Sequence, residues 1–329
     1  MLREVKMKAL FLLDGKFSDI ICLIPVFSSL KSSGCDISLI YNNDRNQESF
    51  KSFLEDYKLF DNVIPFSKKE ERTGDKFIQW MSHKNFDIVI ANKDLFRWAL
   101  PYIRCEIRYI KEENEQHYMD LAFNLLGDLI KKEEKQVRCP LKKIKKRIFD
   151  KSKFKDTKLL VISPTFTKSA SGHQHHWGTQ NYITFINALP YDWKPILLDR
   201  DDGISTCNQI NFLTHRRCLN LAGCLTLSEM AFVIKESEAM VGNMFEVSHL
   251  SASLNKKSII LCSPASNLNK RPLSKEVVIF NAEAPKNIQT NSQKDLISLN
   301  SKCISLLKPE MVIEILQKNI KNEEVLIAN

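Results

Sequence analysis

Short apolar runs alternate with stretches whose apolar residues recur at helical spacing along nearly all of this 329-residue chain. Runs at 8–13 (KALFLL), 36–41 (DISLIY), 62–66 (NVIPF) and 86–91 (FDIVIA) read as strands. The intervening stretches 20–32, 47–57 and 73–83 read as helices. Strict β-α order excludes all-helical bundles and antiparallel sandwiches. It selects a parallel sheet with helices on both faces, because parallel neighbours need a crossover helix.

The segment 131–155 breaks this pattern, with many lysines and glutamates, one proline and almost no strand signal. The alternation then restarts: strands at 158–162, 195–198, 239–241, 257–262 and 276–280, and helices at 181–189, 226–237 and 249–254, with an amphipathic stretch at 309–321. Two Rossmann-like domains follow, residues 1–150 and 151–329, the first ending in the basic linker. The closing helix is expected to cross back to the first domain.

Composition narrows the function classes. Only 9 glycines are present, against roughly 23 at the usual ~7%, so a glycine-rich phosphate loop is excluded. The net charge of +9 favours anionic partners. Nucleic acid is not expected among them, because the basic run Lys142-Lys143-Ile144-Lys145-Lys146-Arg147 carries no interleaved aromatics and no recognised motif. That run suits either a solvated linker or contact with an anionic membrane surface. The nine cysteines lack a CxxC pair and mostly lie in apolar runs, as buried thiols in a reducing compartment do. No apolar run approaches the ~20 residues that span a bilayer, and the first is too short for a signal peptide. A soluble, cytoplasmic protein is expected.

Three segments can carry chemistry. Residues 14–19 (DGKFSD) leave the first strand, at the carboxyl edge where doubly wound sheets bind ligands. Asp19 there is open to two readings, a helix cap or a carboxylate facing the crevice. The loop after the 158–162 strand gathers Thr165, Thr167, Lys168 and three histidines including His175, groups able to grip phosphate. The histidines have no further ligand at a metal-binding spacing, so no metal is expected. Third, a strand ends at Gly242-Asn243 and a helix opens beyond it, with His249 about a turn inside; free N–H groups at such a start attract anions.

These segments, in order, resemble glycosyltransferase family 9, the lipopolysaccharide heptosyltransferases. KALFLLDGKFSDIICLIPVFSSLK is similar to the family's opening strand, GD turn and helix. FDNVIPF and FDIVIAN resemble its V-D-x-V-I-P and Y-D-x-V-I-D-L, and HHWG its K-x-W-P region. LAGCLTLSEMAFVIKESEAMVGN with the following HLSASL resembles the long motif ending in D-[ST]-G-x-x-H-x-x-A-A-L. The resemblance implies a GT-B enzyme: two Rossmann-like domains facing a central cleft, acceptor on the first and nucleotide-sugar on the second. It implies transfer of heptose from an ADP-heptose-like donor to a lipid-linked glycan acceptor, inverting the anomeric centre with no metal or other cofactor, at the cytoplasmic face of the inner membrane. Asp19 falls on the general base, with Lys16 and Ser18 beside the acceptor. Thr165, Thr167, Lys168, His175, Asp201, Asn243, Met244, Phe245, Glu246 and His249 fall around the donor.

Departures from the family pattern are specific. His175 stands where the family has lysine. Met244-Phe245-Glu246 replace D-[ST]-G, removing a carboxylate and a hydroxyl and placing a glutamate where a glycine lets phosphate approach. The alternative reading is a degenerate member that binds nucleotide or glycan without turnover.

Overall fold

The computed structural model describes residues 6–42, 48–66, 80–81, 83–92, 100–111, 116–130, 139–164, 176–264, 266–282, 302–318 and 324–328. The chain divides into two compact units. One comprises Met1–Pro140 with Leu268–Lys270; the other comprises Leu141–Asn267 with Arg271–Asn329. The division falls inside the charged segment, so residues 141–150 go with the second unit rather than the first.

In the first unit, β1 (Lys8–Leu13), β2 (Asp36–Asn42), β3 (Asn62–Phe66), β4 (Ile88–Asn92) and β5 (Glu106–Ile110) form a sheet of order β3-β2-β1-β4-β5, with every pairing parallel. The chain runs outward from β1 to β3, then returns to β1's other side, so the order reverses between β1 and β4. Strand β1 is apolar on both faces and buried from Ala9 onward, as a central parallel strand must be. The 20–32 stretch is two helices, α1 (Phe17–Ile21) and α2 (Ile24–Ser32). Pro25 sits in the first turn of α2 and has no N–H for the preceding turn, which breaks the helix at Cys22–Leu23. Helices α3 (Glu48–Asp56) and α4 (Tyr118–Leu125) complete the described elements. The helix expected at 73–83 lies largely outside the described residues.

In the second unit, β6 (Lys158–Ser163), β7 (Trp193–Leu197), β8 (Leu219–Asn220), β9 (Ala239–Asn243), β10 (Lys257–Cys262), β11 (Val277–Ala282) and β12 (Glu324–Ala328) form a parallel sheet of order β12-β11-β10-β9-β6-β7-β8. Its helices are α5 (Thr179–Ala188), α6 (Ile204–Leu213), α7 (Leu227–Glu236), α8 (Glu246–Ser253) and α9 (Pro309–Gln317). Thr226 opens α7 with a capping box: its hydroxyl accepts from the Glu229 N–H at 3.4 Å and the Glu229 carboxylate accepts from the Thr226 N–H at 2.9 Å. Here the reversal falls between β6 and β9. The fit at that point is tight, because a Cβ on Gly242 would lie 2.6 Å from the Ser163 carbonyl oxygen.

The closing helix α9 belongs to the second unit. Val312, Ile315 and Leu316 join the core formed by Trp177, Tyr182, Phe185 and the sheet, and Lys257 Nζ donates to the Leu316 and Lys318 carbonyls. Its apolar face is satisfied there, which corrects the expectation of a return to the first domain. No helix among the described residues is long and apolar enough to cross a membrane.

Candidate active site

The first cluster forms where β1 leaves its sheet. A Cβ on Gly15 would lie 1.5 Å from the Asn42 carbonyl oxygen, so only glycine lets the chain turn this close to the end of β2. Asn92, the last residue of β4, fixes the turn from the other side: its Oδ1 accepts from the Asp14 N–H at 3.2 Å, and its Nδ2 donates to the Tyr118 hydroxyl at 3.1 Å. Phe17 opens α1 by packing on Phe50 and Phe53 of α3.

That packing turns Asp19, the third residue of α1, inward. Lys16 is the N-cap residue and makes no side-chain cap bond, so the capping reading of Asp19 is wrong. Its side chain is 2% exposed, and Oδ1 lies 3.0 Å from Lys270 Nζ and accepts from Ser18 Oγ at 3.2 Å. Burial pushes the Asp19 carboxyl above its ordinary range, against the pull of the Lys270 ammonium, with smaller opposing effects from Lys16 and Asp14. Lys16 itself is on the rim, largely exposed and 3.4 Å from Asp14.

Lys270 had no signal in the sequence. It ends a short 3-10 turn, Leu268–Lys270, after β10, and is held on three sides within the first unit. Its ammonium caps the Tyr118 ring at 4.7 Å, its carbonyl faces Cys22 Sγ at 3.8 Å, and its charge meets Asp19.

The second cluster lies at the carboxyl edge of β6, β7 and β9. Tyr182 on α5 donates its hydroxyl proton to Asn243 Oδ1 at 2.7 Å, which fixes the last residue of β9. Ser163 Oγ donates to Asp199 Oδ2 at 3.4 Å, and the Arg200 N–H donates to Asp199 Oδ1 at 2.8 Å. Arg200 Nη1 then reaches both carboxylate oxygens of Glu246, at 3.0 and 3.1 Å. Glu246 opens α8, with Met244 and Phe245 half-buried before it and His249 buried at its fourth position. The carboxylate presented beside this cluster is the buried Asp199; Asp201 lies exposed at the start of the next 3-10 turn.

Thr165, Thr167, Lys168 and His175 lie outside the described residues. Of the segment after them, Trp177 is fully buried, its indole N–H donating to the Leu307 carbonyl at 2.6 Å while its ring packs on Tyr182 and Phe185. It builds the core that carries Asn243, an indirect part in the site.

Two doubly wound parallel sheets, each with a polar cluster at the strand-order reversal, make this an α/β protein of the GT-B class. The family model of glycosyltransferase family 9 (heptosyltransferase) matches residues 102–298, more than half of the chain, which therefore belongs to that family and is a glycosyltransferase. The fold is similar to that of a glycosyl transferase family 9 protein from Veillonella parvula (TM-score 0.73, 13% identity, covering 94% of this chain and 96% of that one). It is also similar to E. coli ADP-heptose LPS heptosyltransferase II (TM-score 0.66, 16% identity, 94% and 97% covered). A third likeness is to E. coli heptosyltransferase WaaC, solved with ADP-2-deoxy-2-fluoro heptose (TM-score 0.63, 15% identity, 95% and 100% covered). No curated protein matches the chain by sequence.

Proposed function

We propose that this glycosyltransferase moves a heptose from an ADP-heptose-like donor to a lipid-linked glycan acceptor of the lipopolysaccharide core, inverting the anomeric carbon without a metal. The observation that carries the reading is the buried Asp19 carboxylate at the switch point of the first sheet, which helix capping does not account for. Asp19 takes the proton of the acceptor hydroxyl, with Lys16 and Ser18 beside the acceptor. The hydroxyl oxygen forms its bond to the anomeric carbon as the bond to the nucleoside diphosphate breaks on the opposite face, its electron pair leaving with the diphosphate.

The second unit is the donor side in this reading. The positive end of the α8 dipole, the 165–168 segment, His175 and the Arg200 guanidinium are the groups available to meet the leaving charge. Asn243, Met244, Phe245 and His249 border the same end of β9, and Asp201 or Asp199 offers a carboxylate to a ribose diol. That the E. coli relatives are described with ADP-heptose and its analogue supports the choice of nucleotide. A cytoplasmic enzyme at the inner membrane follows from the acceptor, and the exposed basic residues Lys142, Lys143, Lys145, Lys146 and Arg147 suit that surface.

A transfer assay with ADP-heptose and a lipid-linked inner-core acceptor tests the assignment. Asp19→Ala should lower kcat by about 10²- to 10⁴-fold, the usual contribution of a positioned base. Wild-type turnover in that variant would overturn the role. One observation favours the alternative of a binder without turnover: Glu246 puts a carboxylate at the start of α8, where a diphosphate would sit. ADP-heptose binding by calorimetry, with no product formed from any acceptor, would support it.

A further inference from the structure

We propose that Lys270 is the positioning residue of the base: it holds the Asp19 carboxylate ionised and oriented inside a site too buried to keep it so unaided. This rests on the reading of Asp19 as the base and adds a residue that neither the family pattern nor the sequence supplied.

The geometry makes Lys270 a fixed cation. Its side chain is 10% exposed and that of Asp19 2%, so water screens the 3.0 Å pair little. Its carbonyl is fixed by Cys22 and its ammonium by the Tyr118 ring, while the Tyr118 hydroxyl is itself held by Asn92. The lysine thus cannot swing away without giving up contacts to α1, α4 and, through Asn92, β4. Among the described residues, the other charged groups facing Asp19 are Asp14 and Lys16, which lie on the rim, have opposite signs and pair with each other at 3.4 Å. Lys270 is therefore the charge that decides whether Asp19 starts the cycle as a carboxylate. A surface charge can vary freely, but a buried base without a counter-charge stays protonated and idle.

The same contact sets how strong the base is. As the acceptor proton moves to Asp19, the carboxyl becomes neutral and Lys270 keeps its own proton while losing its ionic partner. The proton is thereby made easier to pass on after transfer, and Asp19 is a weaker base than burial alone would make it. Proton count and charge balance throughout, because Lys270 neither gives nor takes a proton.

Carboxyl-carbon NMR of protein labelled at aspartate Cγ tests this directly, with Asp19→Asn identifying the Asp19 signal. Replacing Lys270 by methionine, which keeps the apolar stem, should raise the Asp19 titration midpoint by about one to three pH units, the effect of an opposite charge at this range. Lys270→Arg should return it most of the way. In the transfer assay the acid limb of kcat should move up with the same sign in Lys270→Met, with KM little altered, whereas a merely structural role would lower activity evenly across pH. If the methionine variant does not fold, Lys270→Gln removes the charge while keeping a hydrogen-bond donor and should shift the midpoint likewise. An unmoved midpoint in the folded variant overturns the proposal, even where Asp19→Ala proves inactive. If Asp19→Ala stays active while Lys270→Met moves the midpoint, it is the assignment of the base that fails.

Discussion

Arg200 Nη1 sits between the two carboxylate oxygens of Glu246, 3.0 and 3.1 Å from them, with the arginine side chain 20% and the glutamate 10% exposed. The pair joins the loop that follows β7 to the start of α8. It places an anion on the helix end that would otherwise attract one, together with the cation that offsets it.

On the proposed donor site, an incoming diphosphate would compete with Glu246 for Arg200. Glu246→Gln keeps the shape and one acceptor while removing the charge. It should tighten ADP binding by roughly tenfold, about 1.4 kcal/mol, in isothermal titration. Partial loss of the buried contact should at the same time cost about 1–3 kcal/mol of folding stability, read from a denaturant melt. Unchanged or weaker ADP binding would mean that the diphosphate does not meet this helix start.

Gly15 makes a sharper structural prediction. Its missing Cβ would lie 1.5 Å from the Asn42 carbonyl oxygen, which is backbone and cannot rotate away. Gly15→Ala should force the β1–α1 turn off its seat, destabilising the first unit by about 1–3 kcal/mol and lowering transfer through Asp19. Gly34 is the control: it has φ +82° and nothing near its missing Cβ. Gly34→Ala should therefore cost only the left-handed strain of about 1–2 kcal/mol and leave transfer intact.

The contrast between such positions explains what could be read from the chain directly. Strands 8–13, 36–41 and 257–262 were legible because central parallel strands are continuous apolar runs, and their parallel pairing followed from the helices between them. Strand β5 was not, because Glu106 and Arg108 alternate with Ile107 and Tyr109 on an edge and Arg108 pairs with both Glu106 and Asp128, so the run looks like a surface loop. Asp19 could be picked out because its turn has local character. Lys270, Asn92 and Tyr118 could not, since a lysine in NLNKRPLS acquires meaning only when folding brings it onto Asp19. Trp177 shows the opposite failure: a motif-like tryptophan next to the donor segment turns out to support the core.

His176 yields a prediction about pH. Its Nδ1 accepts from the Gly178 N–H at 2.8 Å, which requires an unprotonated nitrogen, and burial pushes its pKa down to about 4. The unfolded chain binds a proton near pH 6.5 and the folded one does not until about pH 4. Stability should fall as pH drops through that window and level off below it, with a ceiling of roughly 3 kcal/mol from this residue. Urea midpoints of His176→Gln against the parent should show a shallower decline between those limits; equal slopes would assign the acid sensitivity to other groups.

The last prediction concerns the membrane. Lys142, Lys143, Lys145, Lys146 and Arg147 are all exposed, and the Lys142 N–H donates to the Ser228 carbonyl at 3.4 Å, which seats the run at the start of α7 in the second unit. Basic side chains near an anionic bilayer contribute about 1 kcal/mol each before screening, so five of them suffice for weak peripheral binding and little more. Co-sedimentation with vesicles rich in anionic lipid should be measurable at low salt and collapse when the ionic strength brings the Debye length to about 8 Å. Replacing all five by glutamine should abolish it with little change in melting temperature, because all five side chains are exposed. Binding that survives either change would have to come from apolar insertion, and would shift attention from this run to exposed side chains such as Phe212 and Leu306, 71% and 73% accessible.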